Sequence, residues 1–163
     1  MRWVRAQRIA LIALLCSAIA TVGVYVWLDV LTVAEATNES IVTASGGSAE
    51  ISGQELVLGE VVWDEYPAPA GSRLLSIHVR SSGGPEAAMC GIVTLSEQRG
   101  ERTWLDADDL IDVPYEAGES YCIAESAPYD IVSVFALPAD AGGPFFLDIA
   151  GEDHRVARFL IEP

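Results

Sequence analysis

The sequence predicts an all-β domain, an antiparallel β-sandwich of about seven to eight strands, carried behind one N-terminal transmembrane helix. Three observations lead there. Apolar and polar residues alternate with period two, as in Leu75, Ile77 and Val79 against Ser76, His78 and Arg80. Glycine- and proline-rich turn signals punctuate the chain at short intervals. One uncharged apolar run follows the N-terminus, with arginine on only one side of it.

That run, residues 9–28, is about 20 residues long, enough at the helical rise to span a hydrocarbon core of roughly 30 Å. Residues 1–8 then form a short cytoplasmic N-terminus. Arg2, Arg5 and Arg8 precede the run and every acidic residue follows it, so the positive-inside rule leaves the N-terminus in the cytoplasm and exports the rest. Trp3 and Tyr25 with Trp27 lie near its two ends, where amphipathic rings favour the headgroup level. A rival reading has the run cleaved as a signal peptide after Ala18-Ile19-Ala20, releasing a soluble protein. The apolar character continues past Ala20 to Leu28, which favours a retained signal-anchor. Lipidation at Cys16 is disfavoured because Leu15, not a small residue, precedes it. Ala13, Ser17 and Thr21 form a small-xxx-small row that offers weak helix-mediated self-association.

Residues 29–50 mix small, polar and acidic side chains and end near Gly46-Gly47-Ser48, the composition of a flexible linker. Residues 51–163 suffice for one domain with one core. Its expected strands are "ELVLGEVVW", "RLLSIHV", "MCGIVTL", "SYCIA", "DIVSVFAL", "FFLDIA" and "RVARFLI", separated by "PAPAGS", "SSGGPE", "QRGE", "YEAGE", "PADAGGP" and "GEDH". The segment "DADDLIDVPY" reads as a short helical turn capped by Asp106.

Composition constrains function. All nine basic residues are arginine, and beyond the apolar run 24 acids face six of them, a net of 18 negative charges. Nucleic acid and anionic lipid headgroups are poor partners for such a field. Without lysine, Schiff-base chemistry is unavailable; the bias toward Ala, Gly, Val and Arg is that of a GC-rich, actinobacterial coding style. Cys90 and Cys122 each fall in an expected strand of an exported domain, so a disulfide is the economical reading. Zinc lacks partner ligands at the right spacing, and a catalytic thiol lacks an electropositive neighbourhood. The order Cys90, Trp104, Cys122 invites comparison with antibody-type domains, but the second cysteine comes too soon and Tyr121 is adjacent to it rather than two residues before.

Several stretches together resemble the telokin-like, immunoglobulin-like β-sandwich modules of small exported actinobacterial proteins. The valine-bearing strand "RLLSIHVRSSGG", the glycine-containing hairpin "CGIVTLSEQRGERTWL", the turn "YEAGES", the strand end "VFALPADAGG" and the closing "RFLIEP" carry the resemblance, over Glu55 to Pro163. Cys90 and Cys122 depart from that pattern. The resemblance implies an immunoglobulin-like fold and an extracytoplasmic address, and no activity comes with it.

Candidate sites are few. Asp106, Asp108, Asp109 and Asp112 gather carboxylates of the kind Ca²⁺ takes, yet the loop lacks the EF-hand glycine and terminal glutamate, and a solvated acidic turn is the preferred reading. His78 and His154 with Ser76 suggest no hydrolase, since a Gly-x-Ser-x-Gly elbow is missing and His78 and Ser76 lie on the outward set of their strand. Trp63 and Tyr66 are the candidate partner-binding pair; Trp104 is expected in the core. The expectation is a single-pass membrane protein, not an enzyme and without a cofactor. Its exported domain serves as a binding or accessory module for a cell-envelope protein or glycan, and a cell-envelope enzyme with an unrecognised site is the alternative.

Overall fold

The computed structural model describes residues 14–24 and 40–163. Residues 14–24 are helical, as a run rich in Ala and Leu favours, with Leu14, Leu15, Ile19, Val22 and Val24 exposed. The Thr21 hydroxyl donates to the Ser17 carbonyl at 2.9 Å. No helix among the described residues is long and apolar enough to cross a membrane. The remainder of the 9–28 segment, with Arg2, Arg5, Arg8, Ala13 and the flanking aromatics, lies outside the described residues.

Residues 40–163 form a separate compact unit of two β-sheets. Its strands are β1 (Ser40–Thr43), β2 (Ser48–Ile51), β3 (Gln54–Trp63), β4 (Ser72–Ser81), β5 (Cys90–Glu97), β6 (Thr103–Leu105), β7 (Tyr129–Pro138), β8 (Phe145–Gly151) and β9 (Arg155–Ile161). One sheet runs β1-β9-β8-β5-β6 and the other β2-β3-β4-β7. Pairing is antiparallel except between β1 and β9. Six of the seven expected strands are present, and the all-β, two-sheet prediction holds. The domain starts earlier than expected: residues 40–50, assigned above to the linker, supply β1 and most of β2. Strands this short and polar, "SIVT" and "SAEI", gain their order from Val156, Ala157, Leu56 and Gln54 across the ladders, partners that local composition cannot reveal.

A single core lies between the sheets. Leu75, Ile77 and Val79 of β4 and Ile131, Phe135 and Leu137 of β7 meet Val93 and Leu95 of β5, Phe145, Leu147 and Ile149 of β8, and Ala157, Phe159 and Ile161 of β9. The period-two reading of β4 is therefore correct on its inner face. Two bulges break the alternation elsewhere. In β3 the register shifts between Leu58 and Val61, so inward positions pass from Leu56 and Leu58 to Val61 and Trp63. In β5 the shift between Cys90 and Val93 turns Cys90 inward, where strict alternation from Val93 and Leu95 points it outward.

A second, smaller cluster covers the outer face of β4 and β7. Leu74, Val132 and Val134 are buried there beneath Ala107 and Ile111 of the β6–β7 connection. Ser76, expected on an exposed face, is consequently fully buried, and its Oγ has no hydrogen-bond partner. The same connection protects the free edge of β7: the Ala107 and Glu119 N–H groups donate to the Val134 and Asp130 carbonyls at 2.7 and 2.9 Å, and the Val132 N–H donates to Glu119 O at 2.8 Å. Covering an edge in this way blocks strand addition there. Gly118 permits the approach, since at φ 146° a Cβ would sit 2.7 Å from the Asp130 carbonyl oxygen.

Candidate functional site

The β6–β7 connection also lines an open groove on the surface of the domain. It contains two short 3₁₀ turns, Asp108–Leu110 and Tyr115–Ala117, so the helical turn expected in "DADDLIDVPY" is present. Ala107 occupies the residue position before the first turn, while the Asp106 carboxylate reaches over it and accepts from the Asp108 N–H at 3.0 Å. Asp106 Oδ1 also accepts from the Val134 N–H of β7 at 3.4 Å. One carboxylate thus ends the chain's run in one sheet and substitutes for a strand partner on the other.

Asp106 is partly buried and its Oδ2 has no partner. Burial pushes its carboxyl up from the ordinary value of 3.8 to about 6; Ser133's hydroxyl, nearby but outside hydrogen-bond geometry, and the two backbone N–H groups offset this in part, and the charge of Asp108 adds to it. A carboxyl so perturbed beside a cleft marks a candidate functional position.

The cleft is a groove of about 250 Å³ lined by Gly91, Ile92 and Val93 of β5, Leu105, Asp106 and Asp108, and Ser120 and Tyr121. Its floor is a gap in the sheet edge. β6 pairs with β5 only over Thr94–Ser96, and the next bond on that side joins the Cys90 N–H to the Cys122 carbonyl at 3.3 Å. Gly91–Val93 has no ladder partner toward the groove among the described residues. Its walls are apolar and open to water: Ile92 is 69% exposed, Leu105 64% and Tyr121 46%.

The far wall is fixed by the Cys90–Cys122 disulfide, with Cα atoms 4.9 Å apart. The pairing is as expected, but Cys122 lies in the β6–β7 connection and "SYCIA" is not a strand. Bends at Ser120, Tyr121 and Ala124 take the place of a ladder there, so the apolar pair Cys122 and Ile123 reads as a strand only locally. A buried polar cluster holds the neighbouring backbone. The Tyr129 hydroxyl donates to Gln54 Oε1 at 2.7 Å and accepts from the Ile123 N–H at 2.9 Å; Gln54 also accepts from Ser81 and donates to the Ala88 carbonyl at 2.8 Å. Replacing Tyr129 by Phe strands these groups, so we expect a loss of about 1–3 kcal/mol in chemical denaturation; an unchanged midpoint would show the cluster to be dispensable.

The other expected residues are dispersed. Trp63 is half-buried against the main core, with the Arg73 guanidinium 4.3 Å from its ring centroid. Arg73 in turn pairs with Asp64 at 2.8 Å and, by that hydrogen bond, lowers the carboxyl. Tyr66 packs instead against the smaller outer cluster, and burial raises its phenol. Trp104 is half-buried edge-on to Phe145, centroids 5.9 Å apart. His78 meets Glu65 at 3.0 Å, while His154 sits in the β8–β9 turn at φ 58°. Among the described residues no three His, Cys, Asp or Glu side chains come together to hold a metal ion; Asp106, Asp108, Asp109 and Asp112 follow the turns rather than converging. Sequence reasoning passed over Ile92 and Leu105 of the groove and weighed Tyr121 only as one of several aromatics. Comparison with protein-family models, curated proteins and solved structures finds no match to this chain.

Proposed function

We propose that the chain is a membrane-tethered binding or accessory module of a bacterial cell envelope, its β domain held outside the membrane and its N-terminus inside. The carrying observation is the open apolar groove at Ile92, Leu105 and Tyr121, which offers a docking surface. The uncharged run 9–28 with arginine on one side and all acids on the other supports the tether and its orientation. An immunoglobulin-like topology is supported by the chain's crossing between sheets at β1–β2, β4–β5, β6–β7 and β7–β8 and by the parallel pairing of β1 with the last strand. The bond from β5 to the β6–β7 connection is not the inter-sheet disulfide of antibody domains.

Topology tests this reading. A reporter fused after Pro163 should be active only outside the cell, the protein should resist carbonate extraction, and changing Arg2, Arg5 and Arg8 to Glu should impair export. Recovery from the medium of a form beginning at Thr21 would replace the tether with a secreted protein.

A further inference from the structure

The geometry points to the groove between Leu105 and Tyr121 as a docking site for an extended, arginine- or lysine-bearing segment of a partner protein. The inference rests on the binding-module reading and gives its partner a chemistry. Three independent features of the groove converge. Its floor is strand edge without a ladder partner at Gly91–Val93, the backbone arrangement that an extended chain completes by strand addition. Its walls expose Ile92, Leu105 and Tyr121, which suit the apolar stem of a long cationic side chain or an alternate aliphatic one.

Its charge is of one sign. Asp106 and Asp108 line it, Asp109, Asp112, Glu116 and Glu119 follow on the same connection, and from Glu101 to Tyr129 the only basic residue is Arg102. Arg102 is already committed to Glu97 and Asp140, at 2.6 and 3.0 Å. A cationic segment is therefore attracted to this rim, while an acidic one is repelled. The gap is short, closed at one end by the Cys90 to Cys122 backbone bond and at the other by β6, so side chains rather than a long ladder carry recognition. Of the other edges, β7 is covered by Ala107 and Glu119, β1 carries no acid, and on β2 the Glu50 carbonyl is already taken by Arg155.

The test uses the full chain in neutral detergent micelles and a fluorescein-labelled octapeptide alternating valine and arginine, followed by anisotropy. The arginine peptide should bind, its valine–glutamate counterpart should not, and affinity should fall with added salt. Leu105→Ser and Asp108→Lys should each weaken binding by about tenfold or more. Glu60→Lys, an equal charge change at an exposed position of β3, should leave it within about twofold. Ile92→Ser serves as the second apolar variant if the first melts early. Equal loss from Glu60→Lys and Asp108→Lys would reduce the effect to bulk charge and overturn the site, as would unchanged binding in the Leu105 and Ile92 variants. A concentration-dependent dimer in sedimentation, abolished by Leu105→Ser, would assign the groove to a second copy and overturn the partner. None of these outcomes depends on where the chain resides, so the site can fail while the tether stands, and the reverse.

Discussion

Replacing both Cys90 and Cys122 by alanine should destabilise the β domain by about 3–5 kcal/mol, measured by denaturant unfolding. The bond joins residues 32 apart, and closing a loop of that length removes about 3–4 kcal/mol of unfolded-chain entropy in the loop-closure treatment. Both sulfurs sit in the main core, Cys122 wholly and Cys90 nearly so, so alanine also leaves two small voids. For a domain of ordinary stability that is a large fraction of the total. The consequence reaches the groove. Tyr121 stands next to Cys122, and the Cys90 N–H to Cys122 carbonyl bond that closes the gap in the sheet edge is held by the same link. The double variant should therefore expose Tyr121 further and broaden the amide signals of Gly91–Val93 before global unfolding. A double variant within about 1 kcal/mol of the parent would mean that β5 and the β6–β7 connection hold together by packing alone.

How much of this was legible in the sequence depends on whether each feature is local. β4 and β8 present large apolar residues at every second inner position, and β7 and β9 do so except at Ser133 and Ala157; that pattern locates them without any partner. β1 and β2 carry too little apolar surface for such a signal and exist through their ladders with β9 and β3. The β5 bulge illustrates the same limit. Cys90 is on the wrong parity for the core, and only an extra residue opposite Gly151 and Ile149 turns it inward. The disulfide was legible from the cysteine count and the expectation of export, and so was the strand of Cys90; the place of Cys122 in a connection was not.

The site was less legible still. Nothing in "GIV", "TWLD" and "SY" separately marks a groove; they meet because β6 stops after three residues and because the bond at Cys122 returns the chain to β5. Trp63 and Tyr66 stood out as large aromatics near a proline-rich turn, yet the fold divides them between the inner and outer clusters. Asp106 was read as a helix cap; Ala107 holds that position, without a side-chain cap bond, and Asp106 instead accepts from the Asp108 N–H two residues on, one place before the cap. Its burial between the β6–β7 connection and β7 is a tertiary property, invisible to a rule about caps.

That burial gives the second large effect, a stability that rises as the solution turns mildly acidic. The Asp106 carboxyl titrates near 6 in the folded domain against 3.8 for an unhindered aspartate, so the folded state holds the proton more tightly than the unfolded chain does. Above pH 6 both states are ionised and the fold carries the cost of a partly buried charge, about 2–3 kcal/mol. As pH falls through 6 toward 4 the folded carboxyl protonates first and the cost disappears; below about 4 both states are protonated and the contribution is flat. Asp106→Asn should remove the cost at neutral pH, because the amide oxygen still accepts from the Asp108 and Val134 N–H groups while the charge is gone. We expect the variant to be more stable than the parent by about 1–3 kcal/mol at pH 7.5, with the difference closing between pH 6 and 4. Asp106→Ala separates the charge from the acceptor: it also removes the charge but strands the Val134 N–H beside β7, and should recover less of the gain. Parallel pH profiles for parent and Asp106→Asn would show that the carboxyl is solvated in solution. A divergence that opens between pH 4 and 6 and is full above 6 would place an unfavourable charge, retained at a cost to stability, at the inner end of the groove.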